Sequence, residues 1–92
     1  PLLTFQDGEV VRAGLVRKIQ KGIDRIYDFV RSNTPITELT IVHSQVPDQA
    51  ENLKKILSEF IQEQRIEIAQ LGAGLGVHGG PGVLLVALKK FL

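Results

Sequence analysis

The chain has 92 residues, 11 Lys and Arg against 10 Asp and Glu, and a net charge of +1, which is the size of one small domain and shows neither the basic surplus of a nucleic-acid binder nor an acidic tail. It contains no cysteine, so disulfide frameworks and thiolate chemistry are excluded, and two histidines as the only soft ligands make structural zinc a poor fit. No apolar run approaches the roughly 20 residues that span a bilayer, and no charged-then-apolar signal opens the chain, so the expectation is a soluble, cytoplasmic protein. Methionine is also absent, and Pro1-Leu2-Leu3 is already strand-like, so the sequence reads as an excised domain of a larger protein.

In chain order, Pro1 to Phe5 and Glu9 to Ala13 read as short strands. Gln6-Asp7-Gly8 between them predicts a hairpin. Leu15, Ile19, Ile23, Ile26 and Val30 recur at spacings of four, four, three and four, one face of a helix over about 15–32. Asn33-Thr34-Pro35 ends that helix by turn chemistry, and Leu39-Thr40-Ile41-Val42 is a β-branched run suited to a buried strand, with His43 at its exit. Pro47 belongs in a first helical turn, with Asp48 near the positive end of the dipole. Ala50, Leu53, Ile56, Leu57, Phe60 and Ile61 then trace a helical face over about 47–62. Ile66, Ile68 and Leu71 begin a fourth strand, and Val83 to Leu88, apolar without alternation, form a last strand that is either central or faces something beyond this chain. The order ββαβαββ predicts a two-layer α/β sandwich. Its sheet is mixed and mostly antiparallel, with hairpins at both ends and two helices on one face.

Residues 72–82 hold six of the nine glycines around one histidine, His78. Glycine at this density is entropically costly unless positive φ or close backbone approach is needed. No Gly-Lys-Ser or Gly-Lys-Thr follows, as a phosphate-cradling loop would require. Gly72 and Gly74 could open a dinucleotide fingerprint, but that motif needs a helix next and the pattern here reads as a strand. What remains is a loop of backbone N–H groups and one imidazole, suited to a carboxylate or another small anion.

Pro1-Leu2-Leu3-Thr4-Phe5-x-Asp7-Gly8, Val16-Arg17, Ile41-Val42-His43 and Gly76-x-His78-x-Gly80-Pro81-Gly82 together resemble the C-terminal domain of the DegV family over essentially the whole chain. The resemblance implies half of a two-domain fatty-acid-binding protein. Its N-terminal domain supplies hydroxyl groups to the ligand carboxylate, and the acyl chain lies in an apolar tunnel toward the second domain. By the family's pattern His78 contacts the carboxylate, and Gly76, Val77, Gly79, Gly80 and Gly82 form the backbone of the binding loop. Val77 stands where the family commonly has threonine, and Ala73 where proline is frequent. The resemblance further implies presentation of the bound acid to a fatty acid kinase, with no chemistry done by the carrier. The partners it implies are a fatty acid, that kinase and the N-terminal domain of the same parent, and the only bound group is the long-chain acid itself, with no cofactor and no metal.

Two other classes fit parts of the sequence. One is a phosphate- or nucleotide-handling enzyme domain in which the glycine loop holds phosphate and His78 acts as acid or base. The other is a ferredoxin-like sensing domain that dimerises through its sheet. No Ser/His/Asp set or carboxylate pair shares a predicted cleft, which leaves hydrolase chemistry unsupported. His43 reads as a surface or supporting residue, the Arg17, Lys18 and Lys21 run as a solvated face, and Tyr27 and the four phenylalanines as core first and tunnel lining second.

Overall fold

The structure, a computed structural model, describes residues 2–5, 8–12, 16–70 and 82–90, with side chains from residue 20 onward. Strands β1 (Leu2–Phe5) and β2 (Gly8–Arg12) pair antiparallel, with Phe5 opposite Gly8. The opening hairpin is therefore present, and Gly8, expected in the turn, already belongs to β2. Helix α1 (Val16–Asn33) buries Ile23, Ile26 and Val30, the predicted stripe, while the side chains of Leu15 and Ile19 lie outside the described residues. Asn33 Nδ2 donates to the Phe29 carbonyl at 2.7 Å and Thr34 Oγ1 to that of Arg31 at 3.0 Å, so the turn residues satisfy carbonyls that a longer helix would otherwise bond.

Strand β3 (Ile36–Ser44) is longer than the four-residue core of its sequence signal, because Ile36 and Leu39 both reach the interior across a register shift between Ile36 and Glu38. Helix α2 (Pro47–Leu57) begins where Pro47 and Asp48 predict but stops before residue 62. Ser58 Oγ donates to the Lys55 carbonyl at 2.6 Å, and the Phe60 N–H reaches Leu57 at 3.0 Å, so the last turn tightens instead of propagating. Ile61 remains buried from this turn; its apolar character reports burial and not helix length. A single 3₁₀ turn over Glu63–Arg65 leads into β4 (Ile66–Gln70), and the last strand is β5 (Val83–Lys90). Leu71, expected in the fourth strand, and Ala13, expected in the second, lie outside the described residues.

The five strands lie in the order β1-β2-β5-β3-β4. Strand β5 is central, which explains its unbroken apolar run. The predicted closing hairpin does not form: β3 lies between β4 and β5, pairing parallel with β4 and antiparallel with β5. Helix α2 makes this arrangement necessary, because a strand–helix–strand crossover returns the chain parallel to the strand it left. One core fills the space between helices and sheet, with Ile26, Val30, Leu53, Leu57, Leu39, Ile41, Leu84 and Val86 almost completely buried. On the other face of the sheet Val42 pairs with Leu85 and Ala69, and Thr40 with Ala87 and Glu67. Val42, Leu85 and Ala87 are only half-buried there, outside the core cluster.

Outside the core, α1 is joined by a polar contact to the turn that follows α2. The Tyr27 hydroxyl lies 3.0 Å from both carboxylate oxygens of Glu59 and donates to them, its ring centroid is 5.0 Å from that of Phe60, and the Arg31 guanidinium sits 6.0 Å above the ring. Tyr27 is thus a half-buried link from α1 to the turn after α2 and not core. Donation to the Glu59 carboxylate favours the protonated phenol and raises its pKa from 10.0, with partial desolvation and the repulsion of Glu59 adding to the shift and Arg31 opposing it. Because the bond needs the phenolic proton, its contribution is complete at neutral pH and is lost as pH rises through the raised value. The chain has one tyrosine, so phenolate absorbance reads it directly: Glu59→Gln is expected to return the titration toward 10.0, and an unmoved curve would place the cause elsewhere.

Candidate functional site

Parallel pairing brings the carboxyl ends of β3 and β4 to one edge of the sheet, and α2 starts there as well. This is the edge where α/β folds offer room for ligands, beyond the strand ends and at a point where the chain diverges. Gln70 closes β4 and Gly82 precedes β5, so the two residues that bracket 71–81 flank the end of β3. Two strand spacings put them on the order of 10 Å apart. Gly82 is buried, has φ of 91°, and donates its N–H to the Ser44 carbonyl at 2.7 Å. A positive φ of this size suits glycine and almost nothing else, so at this predicted site residue the backbone demand is visible.

The other predicted site residues, Gly76, Val77, His78, Gly79 and Gly80, lie outside the described residues. For His43, read as a surface or supporting residue, burial overturns the surface reading. The residue is only 6 % exposed, within β3 and not on the surface, and its Nδ1 accepts the Val46 N–H at 3.2 Å. The signal was available, because Leu39, Ile41 and His43 alternate onto one face of the strand. Between His43 and Val46, Gln45 holds φ at 60°, a left-handed conformation that costs a non-glycine residue about 1–2 kcal/mol. The His43–Val46 bond closes this turn and offsets part of that strain.

The opposite edge has a different chemistry. A cavity of about 710 Å³ there is lined by Thr37, Glu38, Leu39, Thr40, Gln64, Arg65, Ile66 and Glu67. With charged and polar side chains outnumbering the two apolar ones, this wall suits an acyl chain poorly. Among the described residues, the buried apolar positions of the helices are packed against the sheet, with Leu53, Ile41 and Val86 at 0 % exposure, and leave no room there for an acyl chain. Among the described residues no group of three or more His, Cys, Asp or Glu side chains could hold a metal, and no helix is long and apolar enough to cross a membrane.

A family model described as "Uncharacterised protein, DegV family COG1307" matches residues 1–90. The chain belongs to the DegV family. A DegV domain-containing protein of Listeria innocua is 29% identical over 87 residues, covering 91% of this chain and 31% of its own length. The chain thus spans under a third of this DegV relative. A fatty acid binding DegV protein of Streptococcus agalactiae, solved by crystallography, is 25% identical with a TM-score of 0.66, over 79% of this chain and 26% of its own. The DegV fold recurs in a Ruminococcus gnavus protein whose crystal structure is described with vaccenic acid, at 17% identity and a TM-score of 0.59, over 79% of this chain and 26% of that one.

Proposed function

We propose that this chain is the C-terminal domain of a two-domain fatty-acid carrier, and that the glycine-rich segment around His78 forms half of its carboxylate site. The observation that carries the reading is likeness in both sequence and fold to the fatty acid binding protein of Streptococcus agalactiae. The geometry supports it: Gln70 and Gly82 root the segment at the carboxyl edge of the sheet, next to the start of α2, where an anion is favoured. In this reading His78 donates to the carboxylate, and Gly76, Val77, Gly79, Gly80 and Gly82 let backbone N–H groups approach it. The apolar surface left for an acyl chain or for the N-terminal domain is the helix-free face of the sheet around Val42, Leu85 and Ala87. The carrier presents its acid to a cytoplasmic fatty acid kinase and does no chemistry itself.

Organic extraction of the purified full-length protein, followed by mass spectrometry, tests the reading. A fatty acid near one equivalent is expected. His78→Ala is expected to weaken binding of added vaccenic acid by about 1–3 kcal/mol, the cost of an unmet charge-assisted hydrogen bond. Full affinity in that variant would remove His78 from the site. Absence of lipid from the wild-type protein, with no binding of added vaccenic acid, would shift the reading to the phosphate-handling alternative.

A further inference from the structure

No further inference is drawn: the strongest candidate, the cavity of about 710 Å³ at the amino ends of β3 and β4, is lined by exposed side chains of opposed charge, Glu38 and Glu67 against Arg65, and nothing in the structure shows what covers it.

Discussion

Replacing Leu53 with alanine is expected to lower the unfolding free energy of the 92-residue domain by about 2–5 kcal/mol. Leu53 sits in the middle of α2 at 0 % exposure, in the same core as Ile26, Ile41 and Leu57, which are equally buried. Removing its isopropyl group forfeits the transfer free energy of the three lost carbons. It also leaves a cavity that a sheet on one side and α1 on the other cannot close. A domain of this size holds only about 5–15 kcal/mol in total, so the loss is a large fraction of its stability. Chemical denaturation would read the effect as a lower midpoint with unchanged slope. A change under about 1 kcal/mol would mean that α2 repacks freely, and the core described above would then be looser than its burial implies.

Most of this core was legible before the structure, and the reason is periodicity. Ile23, Ile26 and Val30 on α1, and Ala50, Leu53 and Leu57 on α2, are spaced so that one stripe faces one layer, and each of these residues is buried. Phe60 and Ile61 misled for a physical reason: an apolar residue reports burial, and a turn can bury it as well as a helix can. The β4–β5 relation was hidden in a different way. Adjacent strands in sequence usually pair, but the α2 crossover lays β4 parallel to β3, which leaves β5 to run back along the other edge of β3. Pairing order is a long-range property that no local pattern encodes.

The site divides along similar lines. Six glycines around His78 marked the segment, and Gly82 shows the positive φ that such a composition anticipates. His43 was underrated because a polar residue at the end of a strand signal resembles a solvent-exposed terminus. The strand continues through Ser44, and this extension turns His43 from an exit residue into an interior one. Between helices and sheet, the described core leaves no space for an acyl chain, since Leu53, Ile41 and Val86 saturate each other there.

That saturation leads to the second large effect, a contrast between neighbours on β5. Val86→Asp is expected to leave the domain unfolded at neutral pH. Val86 is 0 % exposed in the central strand, opposite Ile41, so a carboxylate there would be stranded in a core that holds no cation among the described residues. Removing an ion from water into such a site costs several kcal/mol even after relaxation, and the lost valine packing adds to it, which together approaches the stability of a small domain. Leu85→Asp, one residue away, places the same charge on the half-buried, helix-free face beside Val42. There water can solvate the charge, and a loss of about 0.5–2 kcal/mol is expected in the isolated domain. Far-ultraviolet circular dichroism and denaturation of the two variants would settle the contrast. Equal unfolding by both would mean that the second face is sealed within the domain itself, leaving no apolar surface for an acyl chain or a neighbouring domain. A folded Leu85→Asp domain whose full-length counterpart loses bound fatty acid would instead locate the functional surface of the sheet on the face the helices leave bare.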